Sequence, residues 1–212
     1  MRNPVLALIL FTFTAAPAWA SYYSVLDTGE VLPSGRYKLT GDFQVLTKDG
    51  GVNVGAAMDM GIQDEYGVRA LLGAGATDVF VGGLVKWMPV PDVEGQPAMG
   101  FNAGVLYGKD GDERELSFRI EPLVSKKIQL DTTIFTPYAS LPVSFRMRNS
   151  DDIKRDDNEL ALQLVVGSQL QVERWKNLQF IAEVGVDLDN APSHVSAGAI
   201  LYFDEENGIV IE

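Results

Sequence analysis

A chain of 212 residues without cysteine has one domain's worth of sequence and can form neither disulfides nor thiolate metal sites. Its formal net charge of −12 is the wrong sign for a nucleic-acid partner. After the opening residues, no stretch has the roughly eighteen consecutive apolar residues of an α-helical membrane span.

Residues 1–20 read as a secretory signal peptide. Arg2 supplies the positive start, Val5–Thr14 the apolar run, and Ala18-Trp19-Ala20 a small-residue cleavage site. The apolar run is short for a membrane anchor, and the absence of cysteine excludes a lipobox. The mature chain is expected to be Ser21–Glu212. Its first part, Ser21–Ser34 (SYYSVLDTGEVLPS), is a lead-in with turn residues and no clear period.

Gly35–Gly61 sets the pattern for everything that follows. Tyr37, Leu39, Gly41, Phe43 and Val45 alternate with Arg36, Lys38, Thr40, Asp42 and Gln44. After Asp49-Gly50-Gly51, Val52, Val54, Ala56, Met58 and Met60 alternate with Asn53, Gly55, Ala57 and Asp59. A period of two marks strands with one apolar and one polar face, and Asp-Gly-Gly is hairpin-turn chemistry. Each run reaches the roughly 9–11 residues that a tilted strand needs to cross a bilayer.

The same alternation recurs along the chain. Tyr66–Gly73 sets Tyr66, Val68, Ala70 and Leu72 against Arg69, and Val79–Met88 sets Val79, Val81, Val85 and Trp87 against Lys86. Pro89–Pro97 is a loop. Met99–Tyr107 follows, then a charged turn at Gly108–Arg114. Glu115–Ser125 and Thr133–Arg148 alternate too, although Pro122, Pro137 and Pro142 each remove a ladder donor. Asn149–Asn158 is a polar loop. Leu160–Val172, Leu178–Leu188 and Val195–Phe203 complete the set, followed by an acidic tail from Asp204 to Glu212.

About ten strands in sequence, with no helical period, predict an all-β fold: an up-and-down antiparallel transmembrane β-barrel over residues 35–203. Aromatics near strand ends (Tyr37, Tyr66, Trp87, Tyr107, Phe118, Phe135 and Phe203) fit interfacial girdles. The alternative is a secreted or periplasmic soluble barrel with its apolar faces turned inward on an apolar ligand. The alternation together with the last strand, His194-Val-Ser-Ala-Gly-Ala-Ile-Leu-Tyr-Phe203, resembles the small outer-membrane β-barrel proteins of Gram-negative bacteria. That final aromatic looks like their C-terminal assembly signal, from which this chain departs by continuing to Glu212. The resemblance implies an outer-membrane location. It also implies bilayer lipid and the barrel-assembly machinery as partners, and a monomer.

The polar faces carry Arg36, Lys38, Asp42, Asp59, Arg69, Lys86, Arg119, Glu121, Arg146, Glu183 and Asp187. In a narrow barrel these are expected to form a paired network in the lumen, because unpaired buried charge is costly. The competing reading is a narrow hydrophilic channel. Catalysis has one further candidate. His194 and Ser196 are similar in spacing to the His-x-Ser-Asn of lipid A deacylases, with Glu205 or Glu206 for the acid, but Ala197 stands where the Asn would be. An omptin-like protease would place carboxylates such as Asp151, Asp152, Asp156 and Asp157 at the barrel mouth, where an acidic loop is more often simply solvated. No P-loop, zinc-binding or EF-hand pattern is present, so no cofactor and no catalytic residue is expected.

Export should leave Ser21 as the first residue. The intact mass of the membrane-extracted protein checks this, and a mass that includes Met1 contradicts it.

Overall fold

The computed structural model describes residues 22–47, 50–150, 157–172, 174 and 178–204. The signal peptide, Asp49, most of the polar loop with Asp151, Asp152 and Asp156, and the tail with Glu205 and Glu206 lie outside them.

Every predicted alternating run forms a strand. These are β1 Arg36–Leu46, β2 Val52–Gln63, β3 Tyr66–Gly75, β4 Val79–Val90, β5 Ala98–Asp110 and β6 Glu113–Ser125, then the short β7 Ile128–Leu130. They continue with β8 Thr133–Ser140, β9 Val143–Ser150, β10 Asp157–Val172, β11 Leu178–Asp189 and β12 His194–Asp204. All strand pairings are antiparallel, and β1 pairs with both β2 and β12, so the sheet closes on itself. Phe43, for example, lies between Val54 and Ala197. Closure gives every wall strand two hydrogen-bonded neighbours, which a hydrocarbon environment requires.

The barrel has ten wall positions, as the alternation predicts. The prolines explain the extra segments. β8 and β9 are one strand interrupted at Leu141-Pro142, where the ring nitrogen has no hydrogen to give. Register survives the break. Leu123 pairs with Ser140 before it and Ile120 with Val143 after it. Around the gap, Leu141 N donates to Pro122 O and Gln163 N to Pro142 O, each at 3.1 Å. β7 continues β6 past Lys126-Lys127 along β8.

The faces are inverted relative to a soluble fold. Val54 and Leu72 are 62% and 63% exposed, whereas Gln44, Glu121 and Lys38 are at 0%, 1% and 2%. This corrects the soluble alternative, which needs the apolar faces inside. An apolar outer face around a closed sheet with a polar interior is the architecture of a transmembrane β-barrel. Rings gather at the end of the barrel that carries the start of β1 and the end of β12, called here the terminal end. Tyr37 stacks on Phe203 with centroids 5.3 Å apart, and Tyr66 on Trp87 at 6.1 Å. Trp87 also meets Phe101 edge-on at 5.4 Å.

Leu164 sits midway along β10, outward and 39% exposed. Leu164→Arg should cost about 2–4 kcal/mol, as a charge near the bilayer midplane does. Leu164→Phe should be close to neutral. Urea titration in lipid vesicles checks both, and equal effects would contradict the outward placement.

Candidate functional site

The lead-in is not outside the barrel. Tyr22–Thr28 runs down the lumen and is buried along its whole length, at 1–8% exposure. At its start, Tyr22 stacks on Phe80 at 4.4 Å and donates from its hydroxyl to Asp42 Oδ2 at 3.0 Å. Phe80 is near the start of β4 and Asp42 lies in the second half of β1, so Tyr22 is toward the far end. By Gly29 the segment has reached the terminal end, where Gly29 N donates to Ser125 Oγ at the last residue of β6. It then turns into β1. Ser34 bridges Gly61, and a Cβ at Gly61 would sit 1.8 Å from Leu32 O, so only glycine lets the chain cross there. Gly35 makes the turn with φ +79°, a conformation glycine adopts without strain.

Asp27 is the electrostatic centre. Its carboxylate is 2.9 Å from Lys38 Nζ, 2.9 Å from Lys86 Nζ and 3.1 Å from Arg69 Nη2. Asn102 Nδ2 donates to it at 3.2 Å. Asp59 on β2 serves two of these cations, at 3.1 Å from Lys38 and 2.7 Å from Arg69. Charge packed this densely in a dry interior is tolerable only when each sign meets the other.

The wall also grips the segment's main chain. Glu183 accepts from Val25 N at 2.9 Å and Leu26 N at 2.7 Å. Arg69 donates to Val25 O at 2.6 Å and Leu26 O at 3.3 Å. The N–H and C=O groups of two consecutive residues are thus satisfied from both sides by side chains, as buried backbone demands. Leu26 has φ +39°, uncommon for a branched residue, at the point where this clamp closes. Arg119 donates to Tyr22 O and Tyr23 O, at 3.2 and 2.8 Å, and Lys86 to Thr28 O and Glu30 O, at 2.6 and 2.7 Å.

Nine of the eleven predicted lumen charges are buried inside: Lys38, Asp42, Asp59, Arg69, Lys86, Arg119, Glu121, Arg146 and Glu183. Arg119 Nε lies 2.7 Å from Glu121 Oε1. Arg146 donates to Glu159 Oε2 at 2.8 Å, to the Tyr23 hydroxyl at 2.7 Å and to Asn190 O. The other two are corrections. Arg36 opens β1 and is exposed at the terminal rim. Asp187 keeps the inward parity but is only half-buried, toward the far end of β11, where it accepts from Ala191 N at 3.1 Å in the β11–β12 turn. Parity gave their face but not their depth.

Nothing periodic in residues 22–31 marks them as lumen residues. A trace of them lies in the wall. Leu71, Leu84, Leu106, Leu123, Val165, Ile181 and Ile200 stand on otherwise polar faces. The first three pack around Tyr22 with Phe80 and Ala57, and the last four around Val25 and Leu26 with Tyr138. Inward apolar residues in register with polar ones signal an apolar guest in the lumen.

The His194 and Ser196 side chains are fully buried and do not act on one another. His194 Nε2 is 3.0 Å from Glu183 Oε1 and its Nδ1 is 3.1 Å from Gln163 Nε2. The Ser196 hydroxyl meets that of Ser24 at 2.5 Å. Glu183 thus serves the histidine, the Tyr138 hydroxyl at 2.7 Å and the segment's amides together. Little space remains. A cavity of about 20 Å³ lies beside Tyr22 and Arg119, room for about one water. A vestibule of about 240 Å³ opens at the terminal end, bordered by Thr28, Gly29, Ser125 and Lys127.

No family model and no curated protein matches this chain. Among solved structures, it is similar to a de novo designed transmembrane β-barrel at 14% identity, covering 82% of this chain and 99% of the other, TM-score 0.40. The N-terminal β-barrel domain of Pseudomonas aeruginosa OprF is 9% identical, over 80% of this chain and 98% of that one, TM-score 0.34. Ail, the attachment invasion locus protein of Yersinia pestis, is 10% identical, over 81% and 100%, TM-score 0.33.

Asp27→Asn leaves three buried cations with one fewer anion, and breaking such a buried pairing typically costs about 3–5 kcal/mol. The urea midpoint followed by tryptophan fluorescence should fall accordingly. Asp64→Asn, in the exposed β2–β3 turn, should change stability by no more than about 0.5 kcal/mol. Equal midpoints for the two variants would contradict the central role of Asp27.

Proposed function

We propose that this protein is an outer-membrane β-barrel, closed at rest, with a structural or narrow-pore role and no catalytic activity. The observation that carries this reading is the occupied lumen: Tyr22–Thr28 fills the space that an open pore would need. The apolar belt supports residence in a bilayer, and a closed sheet with polar contents is the β-type solution to crossing one. The signal peptide expected at residues 1–20 supports export. The aromatic Phe203 next to the end of the last strand supports delivery by the barrel-assembly machinery. Closure consumes the long strand edges through which barrels would associate, which supports a monomer.

Absence of catalysis is supported by the engagement of the candidate groups. A nucleophile needs its base and its substrate within reach. Here both ring nitrogens of His194 have other partners, and the Ser196 hydroxyl lies under the segment at Ser24.

Reconstitution into planar bilayers tests the reading. The unmodified protein should show small or no conductance. Arg119→Ala removes the donor to Tyr22 O and Tyr23 O and the partner of Glu121, and should raise conductance. Large, stable, porin-like conductance from the unmodified protein would overturn it.

A further inference from the structure

We propose that the lumen is a binding site for an extended acidic peptide, and that the chain's own residues 22–32 are its resident, exchangeable ligand. This rests on the reading of a barrel closed at rest and assigns the closure to a specific recognition event.

The wall treats the segment as a receptor treats a peptide. Its main chain is read without regard to sequence: Glu183 takes two successive N–H groups, and Arg69, Arg119 and Lys86 each take two carbonyls. Its side chains enter three distinct sockets. Tyr22 goes into an apolar slot floored by Phe80 and capped by Asp42. Leu26 lies among Leu123, Val165, Ile181 and Ile200. Asp27 goes to the cluster of Lys38, Arg69 and Lys86. The ligand is therefore an extended peptide with an aromatic residue five positions before an aspartate and an aliphatic residue just before it. None of these contacts depends on the covalent link. The link itself, Pro33-Ser34, is exposed at the terminal end, next to the 240 Å³ vestibule through which an end-on exit is open.

The experiment uses the full chain. A protease recognition sequence is inserted between Pro33 and Ser34, the protein is folded with the segment attached, and the link is then cut in detergent micelles. A fluorescent synthetic peptide matching Tyr22–Pro33 is added, with and without urea below the unfolding midpoint, and anisotropy is read. Cut protein should take up the peptide and release its own segment, detected by mass, while uncut protein should not. An unlabelled peptide carrying Asp27→Asn should compete at least about tenfold less well, because it leaves the buried cations without their anion. Three outcomes would overturn the proposal: no uptake by cut protein under either condition, equal uptake by uncut protein, or equal competition by the Asn peptide. Conductance of the uncut protein tests closure at rest separately, so failure of one reading is distinguishable from failure of the other.

Discussion

Three cations, Lys38, Arg69 and Lys86, converge at the middle of the lumen, and within ion-pair distance the described wall supplies Asp59 to the first two and no anion to Lys86. Positive charge held that closely and away from water is strongly unfavourable until more anion arrives. Asp27 is that anion, and it comes from outside the wall. Once it is required, the rest follows. The chain before β1 must enter the barrel. Its peptide groups must be satisfied by side chains, because the wall strands have already used theirs on one another. Its apolar residues must find the inward leucines, valine and isoleucines. It must also turn back into β1 at a place where Gly61 leaves room.

How much of this is legible in the sequence depends on whether a feature repeats. The wall was readable because a strand between two environments alternates strictly, from Tyr37 to Phe203. The number of wall positions, the outward aromatics and the gathering of Arg69 and Asp59 on one inward face all follow from that alternation. The prolines were readable as weak points. What register preserves, a break at Leu141-Pro142 without a slip, depends on the continuous neighbours β6 and β10 holding both halves. Arg36 and Asp187 show the limit of parity, which assigns a side but not a position along the axis.

Residues 22–32 were opaque for the same reason. A segment inside a barrel has wall on every side, so no face is systematically apolar and no period arises. Each residue answers one local socket: Tyr22 a ring and a carboxylate, Leu26 an aliphatic cluster, Asp27 three cations. The information lies in the wall, as apolar residues on the polar face, and becomes visible only when all strands are compared. His194 was singled out by its chemistry but serves architecture: with Gln163 on one nitrogen and Glu183 on the other, it helps fix the carboxylate that accepts Val25 and Leu26.

The seam between β1 and β12 acquires a temporal meaning from the path of the segment. Tyr22 points toward the far end, while β1 begins at the terminal end, so the segment and β1 form a bent pair around Pro33-Ser34-Gly35. The sheet can curl around that pair as it forms, and the pairing from Arg36–Asp204 to Leu46–His194 then locks it in. Before the seam is zipped, the segment can slip out sideways. Afterwards only axial travel remains.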